Sequence, residues 1–233
     1  MLELKQQENL AIGSKEAISN LSQSASAKIL VISDSHGSPR LVKTILYNHG
    51  KNCDGLCFCG DGMPDLVEIL EEAQHDPELL EHIPSVLYFV RGNGDNSSIP
   101  LLTSERSLIQ VPVETEITVA QKKIFMTHGH NYNVYYGTKD LAKSAAQRNA
   151  DLAFYGHTHI ANVQNKTSQG KKIVVLNPGS CSLPRGGMPH TFAIVSIEQE
   201  KITSKYYEIK WDTNGEVEFK DYEAPTGEVK LIW

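Results

Sequence analysis

Short apolar runs recur along the chain, each closed by polar and turn-forming residues. KILVIS (28–33) is continuously apolar, the mark of a strand buried on both faces. Ser38-Pro39 then pairs an N-cap residue with a proline at the first helical position, and LVKTILYNHG carries apolar residues at helical spacing up to Gly50. A second strand over 56–59, a helix over 65–73 and a third strand over 85–90 continue the alternation, with Pro77 and Pro84 interrupting the interval. Residues 107–127 change character: their period-two alternation predicts antiparallel β structure. A helix from 138 to 149 and a strand over 151–155 follow, then strands over 161–166, 171–176, 190–197 and 202–210. Helices in the first half and strands in the second predict an α/β sandwich, two packed sheets with helices outside.

The ends of the chain read differently. Residues 1–26 are polar, with weak helical periodicity between Glu16 and Leu21, and predict a mobile extension or a loosely docked helix. The domain proper is expected over 27–210. Residues 211–233 mix Gly, Pro and charge with β-prone pieces (EVEF, VKLIW), either a tail or edge strands of the same domain.

The chemistry sits where the strands stop. Asp34-Ser35-His36, Gly60-Asp61, Gly92-Asn93-Gly94-Asp95, His128-Gly129-His130 and Gly156-His157-Thr158-His159 each follow a predicted strand directly. Ligands of open α/β sheets bind beyond the carboxyl ends of strands, so the five clusters can converge. Asp34, Asp61 and Asn93 offer hard oxygens; His36, His128, His157 and His159 offer borderline nitrogens. Seven such groups suffice for two ions if one carboxylate is shared. The mixture without thiolate suits Mn, Fe or Zn better than Ca or Cu(I).

Composition narrows the partners. The formal net charge is -6, from 22 Lys and Arg against 28 Asp and Glu, with no basic stripe, which excludes binding long nucleic acid through its phosphates. No apolar run has the length of a membrane span, and the first 27 residues hold no continuous apolar segment, so a cytoplasmic location is expected. Cys53, Cys57, Cys59 and Cys181 form no C-x-x-C pair and are expected as small buried hydrophobes, not a zinc site. His49, His75, His82 and His190 lack matching partners and are expected at the surface or at helix ends.

In this order, D-x-H, G-D, G-N-x-D, H-G-H and G-H-x-H resemble the calcineurin-like metallophosphoesterase superfamily over residues 28–210. The short strands and the NPGS at 177–180 resemble its compact prokaryotic phosphodiesterase branch. The resemblance implies a four-layer α-β-β-α sandwich of two mixed sheets. It also implies two divalent metal ions, Mn foremost, with Fe, Ni or Zn as alternatives. Asp34, His36, Asp61 and His159 would hold one ion and Asp61, Asn93, His128 and His157 the other. Asp61 and a solvent hydroxide would bridge them, the hydroxide attacking phosphorus in line.

The implied activity is hydrolysis of a small soluble phosphodiester. Other phosphoesters (monoesters, dinucleoside polyphosphates) are alternatives. So is a protein-interaction scaffold, since a eukaryotic relative in the retromer coat keeps this fold mainly as a binding surface. Gly94 departs from the pattern of the superfamily's protein phosphatases, where a histidine assists the leaving group. His130 is the nearest replacement by sequence, and Asp95 is read as a catalytic-site residue that orients a histidine or caps the next segment. Asn93 and Arg185 are the expected substrate contacts. Homo-oligomerisation stays open.

Overall fold

The structure, a computed structural model, describes residues 2–102, 107–199 and 201–227. In chain order the elements are β1 (Ile12–Gly13), α1 (Lys15–Gln23), β2 (Ser26–Ile32), α2 (Pro39–His49), β3 (Gly55–Phe58), α3 (Met63–Ala73), α4 (Pro77–His82) and β4 (Val86–Phe89). There follow β5 (Ser98–Leu101), β6 (Ser107–Gln110), β7 (Glu114–Val119), β8 (Lys122–Thr127), α5 (Lys139–Gln147) and β9 (Leu152–Phe154). The last five strands are β10 (Ala161–Ser168), β11 (Lys171–Pro178), β12 (His190–Glu198), β13 (Lys201–Trp211) and β14 (Val217–Tyr222).

Two mixed sheets carry the fold. The first has seven strands in the order β1-β4-β3-β2-β12-β13-β14; β2, β3 and β4 run parallel and the remaining neighbours antiparallel. The second has five strands in the order β10-β11-β9-β8-β7, with β9 parallel to both of its neighbours.

Alternation along a strand separates the layers. Leu30 and Ile32 of β2 pack outward on Val42, Ile45 and Leu46 of α2 and on Leu66 and Leu70 of α3. Ile29 and Val31 point the other way, against Ile124, Met126, Leu152, Phe154 and Leu176 of the second sheet. On that sheet's far face, Phe125, Ala153 and Val175 meet Leu141, Ala142 and Ala145 of α5. The result is the α-β-β-α sandwich. All these side chains are fully or nearly fully buried, each stabilising the fold by about 1.5–3 kcal/mol for the larger aliphatics.

Local chemistry sets the element ends. Pro39 opens α2 and Gly50 closes it. Asp76 caps α4 by accepting from the Leu79 N–H, which gives a one-and-a-half-turn helix between the two prolines that the sequence marks only as interruptions. Asn149, at φ 56°, ends α5 before the expected boundary. The expected continuous antiparallel segment over 107–127 divides instead: β6 leaves to pair with β5, while β7 and β8 form a hairpin turning on Ala120 and Gln121, both at positive φ.

Residues 2–26 are docked. Leu2, Ala11, Ile12 and Leu21 are buried, Gln6 exchanges hydrogen bonds with the Gln110 backbone, and β1 extends the first sheet beside β4. At the other end, Val217–Phe219 of the EVEF segment lie in β14, paired with β13, and VKLIW (229–233) lies outside the described residues. All four cysteines are free and buried. Cys57 faces the inter-sheet layer with Cys59, but Cys53 faces the helices, so the three thiols diverge. Among the described residues no helix is long and apolar enough to cross a membrane.

Candidate metal centre

Five strands deliver the five clusters to one place. Asp34 and His36 follow β2, Asp61 follows β3 and Asn93 follows β4, all in the first sheet; His128 follows β8, and His157 and His159 follow β9, in the second. To aim these side chains over the strand ends the backbone turns at once. Asp34, His36, Asp61, His157 and His159 have φ of 55°, 42°, 53°, 66° and 60°. Such left-handed backbone is uncommon for residues other than glycine and costs about 1–3 kcal/mol each, so the surroundings must hold it.

They do so through backbone bonds. The Asp34 N–H donates to Gly60 O and the His36 N–H to Asp61 O. Asp95, expected above in a catalytic part, accepts from the N–H groups of Asp61, Gly62, Met63 and Gly92 at 2.8–3.0 Å. No site imidazole is among its partners, so it clamps the Asp61 and Gly92 loops together. Asp65, buried on α3, accepts from Ser35 Oγ and from the Gly37 and Ser38 N–H groups and fixes the other loop. Gly156 shows how close the packing is: a Cβ there would lie 2.6 Å from Asp34 Oδ2.

The side chains then converge. Asp34 Oδ1 lies 3.2 Å from His159 Nε2, 3.8 Å from His36 Nε2 and 3.9 Å from His128 Nε2. Asp61 Oδ2 lies 3.4 Å from His128 Nε2 and 3.9 Å from His36 Nε2. Among the described residues two groups of donor atoms are close enough to hold an ion, Asp34-His36-His159 and Asp34-Asp61-His128. The carboxylate common to both is Asp34, whereas the sequence reading shares Asp61. Geometrically both carboxylates reach imidazoles of both sheets. The His157 ring packs 5.1 Å from that of His128, and the backbone N–H of His157 donates to Asp34 Oδ2. Asn93 is exposed on the loop whose Gly94 N–H donates to Asp61 Oδ1 at 2.7 Å.

These donors fit divalent cations. His128 Nδ1 lies 2.7 Å from Cys59 O and His159 Nδ1 2.5 Å from Leu183 O. A carbonyl can only accept, so each Nδ1 carries the proton and each Nε2 presents a lone pair inward. Among the described residues Asp34 Oδ1 and His128 Nε2 are buried and find no hydrogen-bond partner, a costly state that a cation would relieve. Nε2 of His36 and of His159 face each other at 3.2 Å, which requires a proton or a cation between the lone pairs.

The ionisation pattern agrees. Burial opposes the charge on Asp34, but His159, His36 and His128 hold its carboxyl far below the usual range. Asp61 likewise, against burial, is lowered by His128 and the Gly94 N–H. His36 is raised by its contact with Asp34; His128 is raised because Asp61 and Asp34 outweigh its burial. Burial and then the His128 charge depress His157 to about 4 and also lower His130.

Around the donors stand residues that the motifs do not name. Asn177 donates to Gly156 O and Thr158 Oγ1, and Ser180 Oγ donates to Asp34 O, so the NPGS segment ties the histidine loop of the second sheet to the aspartate loop of the first. Tyr135 packs 4.8 Å from the His157 ring, donates to His157 O and receives the Arg185 guanidinium at 2.5 Å. Arg185 is thus exposed beside the centre. His130 lies 5.6 Å from His128 ring to ring, its Nδ1 buried and unpartnered. No local pattern points to Tyr135 or Asp65; an aspartate in the first turn of a proline-started helix is a signal for the latter only in hindsight.

Known proteins resemble this chain in sequence and fold. The Calcineurin-like phosphoesterase superfamily domain matches residues 27–200. The chain is 29% identical over 180 residues to the Probable metallophosphoesterase YsnB of Bacillus subtilis, covering 77% of this chain and 90% of that one. It is 25% identical over 185 residues to Phosphodiesterase YfcE of Escherichia coli K12, covering 72% and 86%. Among solved structures, Vacuolar Protein Sorting 29 of Cryptosporidium parvum superposes with TM-score 0.60 at 18% identity, over 84% of this chain and 98% of that one. A conserved Streptococcus pneumoniae protein described as a predicted phosphoesterase gives 0.55 at 24% identity, over 84% and 97%. The match spans both sheets and all five clusters, and the chain belongs to the calcineurin-like phosphoesterase superfamily, alongside compact bacterial members.

Proposed function

We propose that the protein is a dinuclear metal-dependent phosphodiesterase acting on a small soluble phosphoester. The observation that carries the reading is the pair of buried, unpartnered atoms, Asp34 Oδ1 and His128 Nε2, facing further carboxylate and imidazole donors at 3.2–3.9 Å. Asp34, His36, Asp61 and His159 would hold one divalent ion and Asp61, Asn93, His128 and His157 the other, Mn first, with Fe, Ni or Zn as alternatives. Such a pair, when bound, activates water and neutralises charge on a phosphoryl group.

The chain's own residues would do the rest. Arg185, held by Tyr135, would meet a phosphate oxygen, and Asn93 would contact the substrate from its exposed loop. Asp95 would act by positioning Asp61 through the loop backbone. Protonating the leaving group is the weak point. Gly94 has no side chain, and His130, its pKa lowered by burial and by His128, keeps no extra proton at neutral pH.

The test is turnover by protein reconstituted with Mn²⁺, Fe²⁺, Ni²⁺ or Zn²⁺ on aryl and alkyl phosphodiesters. Metal-dependent hydrolysis that falls steeply as the leaving group becomes more basic is expected. Absence of both metal binding and turnover with every ion would refute the assignment, and equal aryl and alkyl rates would refute the missing acid.

A further inference from the structure

Beside the metal centre lies a cleft of about 770 Å³, within the roughly 300–1,000 Å³ of small-molecule sites. Two of its walls adjoin the donor loops. Gly37, on one wall, follows His36, and Ser182, on another, donates through its hydroxyl to the Asp34 carbonyl. Its far wall is the β13–β14 hairpin, in which Trp211 pairs with Val217 and Asp212 accepts from the Asn214 and Glu216 N–H groups. That tight turn holds Trp211 in place.

Trp211 is 48% exposed, a large value for an indole on a sheet. Its ring meets His190 edge to face at 5.0 Å, and His190 is anchored by Nδ1 to Cys181 O, on the segment that runs to Ser182. Facing them from the helices are Arg40 and Glu68. Neither makes a side-chain hydrogen bond or ion pair among the described residues. A flat aromatic wall set against one free donor and one free acceptor fits a nitrogen heterocycle with polar edges.

We infer that this cleft seats the nucleoside portion of the substrate, with Trp211 stacking on the base while the phosphodiester sits at the metal centre. The inference rests on the phosphodiesterase reading, and it narrows the substrate class to nucleotidyl esters. Trp211 is then a specificity residue and takes no part in the chemistry.

The experiment compares two diesters with the same leaving group, thymidine 5′-(p-nitrophenyl phosphate) and methyl p-nitrophenyl phosphate, on wild type, Trp211→Ala and Trp211→Phe. The nucleoside ester should be preferred about tenfold or more in kcat/KM through stacking. Trp211→Ala should erase that preference through KM and leave the methyl ester unchanged, and Trp211→Phe should retain most of it. Equilibrium dialysis of thymidine 5′-monophosphate against EDTA-treated protein reads the cleft without turnover and should show weaker binding by Trp211→Ala.

Equal preference in wild type and Trp211→Ala would overturn the inference. So would a preference unaltered while Trp211→Ala converts a dimer to a monomer, since a second copy would then cover the indole. If neither diester is hydrolysed, the phosphodiesterase reading fails, and dialysis alone decides whether the cleft takes a nucleotide.

Discussion

The two sheets contribute to the centre in opposite ways. The first supplies the oxygens, and each carboxylate there is held by N–H and O–H groups: Asp61 by Gly94, Asp34 by Ser33 and by His157 from across the cleft. The second supplies most of the imidazoles, and its His128 and His159 are held by carbonyls, His128 by Cys59 of the opposite sheet. A carboxylate needs donors to stay ionised, whereas an imidazole needs an acceptor at Nδ1 to free Nε2. Each sheet therefore orients the other's ligands, and neither makes the site alone.

Removing a donor atom should break this arrangement most severely. Asp61→Asn keeps the shape and an oxygen to accept from Gly94, but replaces one charged ligand by an amide. Phosphodiesterase activity is expected to fall about a thousandfold, the loss of several kcal/mol of charge stabilisation, while the melting temperature of metal-free protein stays near wild type. Wild-type turnover in the variant would remove Asp61 from the centre.

Support should matter next. Asp95 leaves every donor in place but collects four N–H groups of the first sheet's loops. An asparagine there turns its amide N–H₂ against some of them. Mn²⁺ affinity is expected to drop about 10–100-fold and metal-free stability by about 2 kcal/mol, read by calorimetry and thermal melting. Unchanged affinity would show that the left-handed turn at Asp61 holds without this clamp.

The convergence itself was legible in the sequence because every donor directly follows a strand, and strand ends in one sheet lie side by side. The clamps were not, since Asp95, Asp65, Asn177 and Ser180 act through hydrogen bonds to backbone that exist only once loops meet. The same holds for residues 2–26. Their polar composition reads as an extension, yet a few residues (Leu2, Ile12 and Leu21) bury against sheet edges that the local pattern cannot see. The motifs do not say which carboxylate is shared, because D-x-H and G-D are equally able to bridge: Asp34 Oδ1 stands near three imidazoles and Asp61 Oδ2 near two.

Acid should reveal the competition between protons and metal. His36 and His128 hold protons to higher pH than the ordinary 6.5, because carboxylates face them. Ligation needs both nitrogens bare. Lowering the pH through these raised values adds competing protons, so affinity falls as pH falls, by up to about tenfold per unit for each proton displaced. Calorimetry of Mn²⁺ binding in buffers of different ionisation heat counts the protons released. A flat affinity between about pH 8 and about pH 6 would contradict the placement of these imidazoles beside carboxylates.

His49 sharpens the contrast by having the opposite surroundings. It ends α2 among the rings of Phe192, Tyr207 and Phe219 at 4.7–5.0 Å, and its Nε2 is buried with no hydrogen-bond partner among the described residues. Burial, then the Lys205 charge, lowers its pKa below 6.5. The unfolded chain therefore takes up a proton more readily than the folded one, so this residue costs no stability above 6.5 and progressively more as pH falls below it. His49→Phe keeps the aromatic packing and removes the proton. On passing from about pH 7.5 to about pH 5.5, wild type should lose more in Tm than the variant. Titrations shared by both proteins cancel in that difference. Parallel curves would mean that His49 finds a hydrogen-bond partner when protonated, and that its aromatic enclosure opens on the acid side.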